Sequence, residues 1–494
     1  MPRKPNILLI MTDQHRADLM SCAGNSLVPT PNLDRLASRG VRFENAYCPY
    51  PACLASRSAL LTGLYAHTTG AINNQDLLDW RYRTVAHHFA EHGYLTALIG
   101  KMHFNDVHSH GFAYYLSIND WLMYLGPKAR LYAEEVANHP LGPKFFNTIV
   151  DDGAGFPDVA GLWGEKSPWV GDVTRFNFKS MASRMEEKDH LDAFVARESA
   201  AFLRRYQDQP FFLVASFMKP HTPLFAPEPW AGLYPVEDTV LPPVGDLSQY
   251  PDHIREAVAY YQSQGVPAMK AHRAGYLANL AYADVCVGRL LNALEQTGLA
   301  ENTIVVYTSD HGEMNGDHGL FQKFCLFDPS VKAPLMVSFP GRLPEGRIST
   351  ALVDLIGLYP TLSDLAGLPR PENTTIVPFE KAPAALDAES FATLCENPDA
   401  LGPEAVFSEY NLKGNPRSFM VRTRKHKVIL NAGNRDELYD LEIDPNENVN
   451  LAENPGQSQT LADLRQKLIR WYDFESMEVS TALDVKPALK ERSE

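Results

Sequence analysis

Uninterrupted apolar runs of strand length recur along the chain, at residues 6–11, 96–100, 210–217 and 303–308. Their hydrophobic residues do not alternate with polar ones, which predicts strands that are buried on both faces. Strands of this kind are typical of a parallel sheet. The hydrophobic pattern therefore predicts an α/β protein.

Amphipathic segments lie between these runs, and residues 84–92, 192–206 and 275–297 are predicted to be helices. After a loop or linker at 371–383, residues 419–423 and 427–430 predict a hairpin, and residues 459–474 predict a helix. A chain of 494 residues is longer than one small core needs. We expect a large domain at residues 1–370 and a smaller domain at 371–494.

Composition narrows the functional classes. The formal net charge is −15 and no run of Lys or Arg stands out, which argues against nucleic-acid binding. The six cysteines include no Cys-x-x-Cys pair, which argues against a disulfide framework or a zinc site. No apolar run reaches the roughly 20 residues that span a bilayer. Without a signal peptide in the sequence, a cytoplasmic location is expected, or a periplasmic or secreted one if a signal was removed.

Polar residues that suit metal or anion binding follow each apolar run. They are Asp13 and Gln14, then Lys101 and His103, then His221, then Asp310 and His311. Ligands of open α/β sheets bind beyond the carboxyl ends of the strands, so these residues are well placed to bind one. Taken singly, each group also fits a helix cap or an ordinary polar loop. Lys219, near His221, is expected to face solvent.

The stretch from Cys53 to Gly63 is the most informative part of the chain. Residues 56–61 contain no helix breaker and predict a helix that Gly63 ends. A helix start offers free N–H groups and a positive dipole end, and Arg57 adds a cation on the same face as Cys53. Cys53 is therefore expected where an anion is held. The alternative is a buried helix start with an ordinary packed thiol.

This stretch resembles the sulfatase signature, Cys-x-Pro-Ser-Arg followed by Leu-Thr-Gly. Cys53, Ser56, Arg57, Leu61, Thr62 and Gly63 match, whereas Ala55 stands where the common form has proline. A Cys-x-Ala-x-Arg form also occurs in the family, chiefly with oxygen-independent maturation enzymes. Four further blocks are similar to the family and occur in the same order. They are Asp13-Gln14, Gly100-Lys101-Met102-His103, Pro220-His221-Thr222-Pro223, and Ser309-Asp310-His311-Gly312 with Gln322-Lys323.

The resemblance implies a formylglycine-dependent sulfatase of the alkaline phosphatase superfamily. Its fold would be a large mixed, mostly parallel sheet flanked by helices, with a smaller C-terminal antiparallel sheet and helix. Cys53 would be oxidised to formylglycine, whose hydrated aldehyde is the nucleophile in this family. The resemblance implies metal ligation by Asp13, Gln14, Cys53, Asp310 and His311, and catalytic roles for Cys53, Arg57, Lys101, His103, His221 and Lys323.

The same resemblance implies roles, a metal and partners. Arg57, Lys101 and Lys323 would stabilise charge on the sulfuryl group, His221 would protonate the leaving alcohol, and His103 would act as a base. Calcium is the usual metal of the family and is expected ahead of manganese or magnesium. The expected partners are a small-molecule or saccharide sulfate ester and a formylglycine-generating maturation enzyme.

Two other functions fit part of the sequence. Phosphonate monoester and phosphodiester hydrolases of the same superfamily resemble the cysteine block and the metal pairs, but they usually lack the lysine and histidine found here as Lys101 and His103. A binding protein whose Cys53 stays a thiol is the second alternative. The aromatic-rich segment 105–200, which includes Trp163 and Trp169, either lines a substrate pocket or packs a surface subdomain.

Overall fold

The structure, a computed structural model, describes residues 4–132, 182–371, 373–380, 382–411 and 417–472. Trp163, Trp169 and the last two residues of the helix predicted at 459–474 lie outside the described residues. The strands of the large sheet are β1 (Asn6–Asp13), β2 (Val41–Tyr47), β3 (Leu95–Gly100), β4 (Tyr114–Leu116), β5 (Phe211–Pro220), β6 (Thr303–Ser309), β7 (Leu335–Ser338) and β8 (Arg347–Asp354).

Within the described residues, the eight strands of this sheet have the order β4-β3-β5-β1-β6-β7-β2-β8. Neighbouring strands are parallel except at β7, which runs antiparallel to both β6 and β2. The prediction of a large mixed, mostly parallel sheet is confirmed.

The central strand β1 shows why the apolar runs lack alternation. Ile7, Leu9 and Met11 pack in the core on one face of the sheet, and Leu8 and Ile10 pack in the core on the other. Successive side chains of a strand point to opposite faces. A strand that is covered on both faces therefore needs an apolar residue at each position.

The α-helices are α1 (Pro31–Ser38), α2 (Cys53–Thr62), α3 (Ala66–Thr69), α4 (Val85–Glu91), α5 (Ile118–Leu125), α6 (Leu191–Arg205), α7 (Asp252–Ser263), α8 (Val266–Gln296), α9 (Asp328–Val331), α10 (Leu358–Leu365), α11 (Ala392–Glu396) and α12 (Ser458–Tyr472). Helices α1, α6 and α8 cover one face of the sheet, and α2, α4 and α10 cover the other. Helix α8 begins at Val266, before the predicted start at residue 275. Pro267 is compatible with this earlier start, because the missing N–H of a proline in the first turn costs no hydrogen bond.

The C-terminal part of the chain forms a second sheet. Its strands are β9 (Ala405–Tyr410), β10 (Ser418–Thr423), β11 (His426–Asn431) and β12 (Glu437–Asp440), all antiparallel, in the order β12-β11-β10-β9. Leu464 and Leu468 of α12 pack on one face. Met420 and Ile429, on the other face, join the core of the large sheet. The predicted antiparallel sheet and helix are confirmed, and the boundary at residue 370 stays a prediction.

A buried lysine joins the two sheets. Lys427 in β11 is fully buried, and its Nζ lies 2.9 Å from Asp328 Oδ1 and 2.6 Å from Glu447 Oε1. The hydroxyl of Tyr47, at the end of β2, donates to Asp328 Oδ2 over 3.1 Å. A buried charge needs such partners to offset its lost hydration. These contacts hold β11 against the segment that follows Lys323.

None of the helices in the described part of the chain combines the length and the apolar character that a membrane span requires.

Candidate active site

The predicted helix that Gly63 ends is present as α2, but it begins at Cys53 and not at residue 56, and the whole helix is buried. Ala52 precedes it in an extended conformation, with φ −149°. The N–H of Leu54 donates to Asn74 Oδ1 over 3.2 Å, and Ser56 Oγ donates to the Asp310 carbonyl over 2.5 Å. The Ser56 bond fixes the start of the helix against the carboxyl end of β6.

The candidate metal ligands come from the ends of two neighbouring strands. Strands β1 and β6 pair in parallel with Thr12 opposite Ser309, so the residues that follow, Asp13 and Asp310, lie at the same edge of the sheet. Among the described residues, Asp13, Cys53, Asp310 and His311 form a buried group whose potential ligand atoms all lie within 4.8 Å of one another. These residues are far apart in the sequence, but the pairing of β1 with β6 brings Asp13 close to Asp310 and His311.

The donor set of this group fits a divalent cation. Two carboxylates and the amide oxygen of Gln14 are the ligands that calcium and magnesium prefer, and an imidazole also suits manganese. Cys53 Sγ lies 3.7 Å from Asp13 Oδ1 and 3.4 Å from His311 Nε2. His311 Nδ1 bonds to the Gly312 carbonyl over 2.9 Å, which turns Nε2 toward the group.

Arg57 connects the two carboxylates. Its Nε donates to Asp310 Oδ2 over 2.7 Å and its Nη2 donates to Asp13 Oδ2 over 3.0 Å. Its Nη1 donates to the Lys101 carbonyl and to Ser216 Oγ, over 2.7 and 2.9 Å. The guanidinium thus contacts the metal-ligand candidates and the neighbouring strand ends, one helical turn behind Cys53.

Two buried lysines, Lys101 and Lys323, lie near Cys53. Lys101 Nζ lies 2.6 Å from Asp13 Oδ2, and Lys323 Nζ lies 3.5 Å from Cys53 Sγ. Burial by itself raises the pKa of the Cys53 thiol, but Lys101, Lys323 and His311 together bring it well below the ordinary value. The site therefore stabilises negative charge at the position of Cys53.

His221 faces the same space. Its Nε2 lies 3.1 Å from Lys323 Nζ and 3.8 Å from Asp13 Oδ1. Its Nδ1 bonds to the Thr222 carbonyl over 2.7 Å, so Nε2 is the nitrogen available to the site. Burial, and then the charge of Lys323, lower the pKa of His221.

His103 lies beside Cys53, and a hydrogen bond from its side chain helps to lower the pKa of the thiol. His103 also has a left-handed backbone, with φ 68°, and Gln14 and Gln322 share this conformation at φ 67°. Such conformations cost non-glycine residues on the order of 1–3 kcal/mol and concentrate at functional sites. Three of them around one buried group support a functional role for it.

The structure brings all the sequence-predicted site residues to one place, with one neighbour misjudged. The expectation that Lys219 faces solvent is wrong. Lys219 is buried, and its Nζ donates to the carbonyls of Pro223 and Phe225 over 2.6 and 3.1 Å. The lysine fixes the turn that carries His221, because its cation binds two carbonyls of the segment that follows this histidine.

Two residues that contact the site were not singled out from the sequence. Ser216, near the end of β5, accepts a hydrogen bond from Arg57, and its position at a strand end was the available signal. Glu313 is fully buried and accepts a hydrogen bond from Gln14 Nε2. Only its place two residues after His311 pointed to it in the sequence.

Comparison with known proteins adds independent information. The model of the Sulfatase family matches residues 5–368, and that of the N-sulphoglucosamine sulphohydrolase C-terminal region matches residues 316–473. An arylsulfatase of Clostridium perfringens is 31% identical over 477 residues, which cover 94% of this chain and 94% of the relative.

Two solved structures share the fold. The phosphonate monoester hydrolase of Agrobacterium radiobacter has a TM-score of 0.74 at 23% identity, covering 95% of this chain and 96% of that one. A protein solved in complex with its substrate D-glucosamine-2-N,6-O-disulfate has a TM-score of 0.71 at 22% identity, covering 97% of this chain and 100% of that one.

Proposed function

The chain belongs to the sulfatase family and is a sulfuric ester hydrolase, and we propose that it cleaves a sulfate monoester through a formylglycine made from Cys53 and a divalent metal. Divalent metal and formylglycine are general features of this family. The observation that carries the proposal is the pair Lys101 and His103, both buried beside Cys53. That pair separates the sulfatase pattern from the pattern of phosphonate monoester hydrolases.

The proposed ligands of the metal are Asp13, Gln14, Asp310 and His311, together with the residue made from Cys53. When bound, the metal supplies a Lewis acid beside the sulfate, and formylglycine supplies a hydroxyl nucleophile. Calcium is the metal we propose first, because oxygen ligands dominate the set. Arg57 holds Asp13 and Asp310 in place for this role.

Lys101 and Lys323 would bind the sulfate and stabilise the charge that develops on it. Both ammonium groups are buried and lie within reach of Cys53. In a site from which water is excluded, such fixed charges act strongly because they need no reorganisation during the reaction. The lowered pKa of the Cys53 thiol reports the same positive field.

His221 and His103 would move the protons. His221 Nε2 points to the site, and a lowered pKa makes its protonated form a better proton donor than an ordinary imidazolium. His103, in contact with residue 53, is the proposed base for the release of sulfate. The two histidines follow different strands, β5 and β3, so they approach the site from separate positions.

We propose a carbohydrate or other small alcohol or aryl sulfate as the substrate class. An arylsulfatase at 31% identity and a structural neighbour bound to a sulfated glucosamine support this class. The competing function is phosphonate monoester hydrolysis, because the Agrobacterium radiobacter enzyme named for that activity shares the fold.

A paired assay tests the proposal. Purified protein is assayed on matched sulfate, phosphodiester and phosphonate esters of one aryl alcohol, and on a sugar sulfate. We expect the highest kcat/KM on a sulfate ester. A higher kcat/KM on the phosphorus esters would favour the competing function.

Intact-mass analysis of the peptide that contains Cys53 tests the nucleophile. Conversion of cysteine to formylglycine removes roughly 18 Da, whereas ordinary sulfur oxidation adds oxygen. Protein that is fully active on sulfate esters with Cys53 entirely as thiol would contradict the formylglycine mechanism.

A further inference from the structure

Gln14 occupies a metal-ligand position with a neutral amide, and only its oxygen can bind a cation. The side chain is fully buried. Its Oε1 accepts a hydrogen bond from Lys323 Nζ over 2.5 Å, and the same Nζ lies 3.5 Å from Cys53 Sγ. An amide that turned over would present N–H groups to the metal, so the orientation of this side chain decides whether Gln14 can be a ligand.

Glu313 fixes that orientation from behind. Gln14 Nε2 donates one hydrogen to Glu313 Oε2 and, over 3.2 Å, the other to Gln322 Oε1. Both amide hydrogens are therefore directed to acceptors on the side away from the metal. The amide oxygen is left facing the site.

The carboxylate of Glu313 is itself fixed by the backbone. Its Oε1 accepts hydrogen bonds from the N–H groups of Asn315 and Gln322, over 2.9 and 2.6 Å. His272 Nε2 lies 3.6 Å from the same oxygen. Because Oε1 is held by donors, Oε2 is the atom presented to Gln14, and a fully buried group surrounded by donors serves as an acceptor.

We propose that Glu313 is a positioning residue for the metal site, which orients the Gln14 amide so that its oxygen faces the cation. The negative charge of Glu313 also polarises this amide and makes the oxygen a better ligand. An acidic residue at position 14 would bring a negative charge into direct contact with the cation. Here Glu313 supplies that charge from behind the Gln14 amide. This inference rests on the metal site of the proposed function, but not on which ester the protein cleaves.

The variant Glu313→Gln tests the orientation. The backbone N–H groups of Asn315 and Gln322 would keep the new amide oxygen, so its NH₂ would face Gln14 Nε2. Two donors cannot bond, and Gln14 would turn its oxygen away from the metal. We expect the affinity for Ca²⁺ to fall about 10- to 100-fold, the usual effect of losing such an outer partner.

The exchanged pair Gln14→Glu with Glu313→Gln is the decisive variant. It retains the size and the total charge of the two side chains. The amide at position 313 would then donate a hydrogen bond to the carboxylate at position 14. Gln322 can follow by turning its own amide, because its buried Nε2 has no hydrogen-bond partner now. We expect the exchanged pair to bind Ca²⁺ at least about tenfold more tightly than Glu313→Gln, as coupled neighbours do.

The measurement is isothermal titration of Ca²⁺, and separately Mn²⁺, into chelator-treated protein with the same Cys53 state in each variant. The matched control is Glu437→Gln, another buried glutamate, in β12, which should bind Ca²⁺ as the wild type does. If Glu313→Gln does not fold, a folded, metal-binding exchanged pair still supports the inference. Wild-type affinity in Glu313→Gln, or an exchanged pair that binds no better than Glu313→Gln or does not fold, would overturn it. Because the readout is metal binding, a wrong ester class would leave these results unchanged.

Discussion

The Arg57 guanidinium donates to the Asp310 carboxylate over 2.7 Å, although 253 residues separate the two in the chain. Through Nη2 the same guanidinium reaches Asp13. One cation from helix α2 thus joins the carboxylate at the end of β1 and the carboxylate that follows β6. This arrangement makes Arg57 the structural partner of the proposed metal ligands as well as a neighbour of Cys53.

We expect Arg57→Gln to lower the free energy of unfolding of chelator-treated protein by about 3–5 kcal/mol, because it removes the buried cation that Asp310 and Asp13 share, and Lys101 would remain beside Asp13 alone. Added Ca²⁺ should recover part of this loss, since a dication compensates the same charges. Urea unfolding with and without Ca²⁺ measures both effects. The exposed Arg347→Gln, which removes a surface pair with Asp399, is the control and should change stability by less than about 1 kcal/mol. Wild-type stability of Arg57→Gln in chelator would contradict the assigned role.

Removal of Lys101 should affect the reaction. We expect Lys101→Ala to lower kcat on a sulfate ester by about 10²- to 10³-fold, as for loss of one fixed charge-stabilising donor. Steady-state kinetics of both proteins, at equal formylglycine content, measures the change. The surface lysine Lys425 supplies a control, because Lys425→Ala should leave kcat unchanged. A Lys101→Ala variant as fast as the wild type would refute the role of this cation.

The role of His221 as an acid predicts a dependence on the leaving group. We expect His221→Asn to lose about 10²- to 10⁴-fold in kcat/KM on sulfates of sugars or alkyl alcohols, which need protonation to leave. Aryl sulfates with acidic phenols should lose much less. A plot of log kcat/KM against leaving-group pKa should therefore be steeper for the variant. Equal losses on both ester types would exclude His221 as the acid.

The contact between the two sheets predicts a stability effect. We expect Lys427→Met to lower the free energy of unfolding by about 3–5 kcal/mol, because Asp328 and Glu447 would lose the buried cation that they share. Lys467→Met, which removes an exposed pair with Glu404, should change stability by less than about 1 kcal/mol. Urea unfolding at neutral pH measures the unfolding free energy of both variants. Similar losses of stability in the two would show that the buried ion pair stabilises the fold no more than the exposed one.

Asp354 predicts a pH dependence of stability. Burial raises the pKa of Asp354 from 3.8 to about 7, and its Oδ2 accepts a hydrogen bond from the Tyr65 hydroxyl over 2.6 Å. The folded protein holds this proton to higher pH than the unfolded chain. Its contribution to stability is therefore complete below about pH 4 and is lost as the pH rises through about 7.

The variant Asp354→Asn checks this expectation, because an amide can still accept from Tyr65 and does not ionise. The difference in unfolding free energy between variant and wild type should grow in favour of the variant between about pH 4 and 7. Its size should be on the order of a few kcal/mol, at about 1.4 kcal/mol per pKa unit. Urea unfolding at several pH values measures it, and a difference that does not change with pH would contradict the raised pKa.

Much of the fold and the site was accessible from the sequence. Burial on both faces requires an apolar residue at each strand position, so β1, β3, β5 and β6 appeared as continuous runs. The polar residues after these runs lie at one edge because parallel strands end there together. Local signals also predicted the helix that follows Cys53. Residues without a helix breaker and the glycine that ends the helix lie within a few positions of one another in the chain.

The pairings inside the site came only from the tertiary structure. The Gln14 amide shows the reason: its chain position was known, but Glu313, the acceptor of its hydrogen bond, lies 299 residues away. The carbonyls that bind Lys219 lie only four and six residues further along the chain, yet the path of that turn was not readable from the sequence. Periodicity determines which residues are buried and where a strand ends. The direction of a buried polar side chain depends on which donors and acceptors sheet order brings beside it, and that order is a property of the folded chain as a whole.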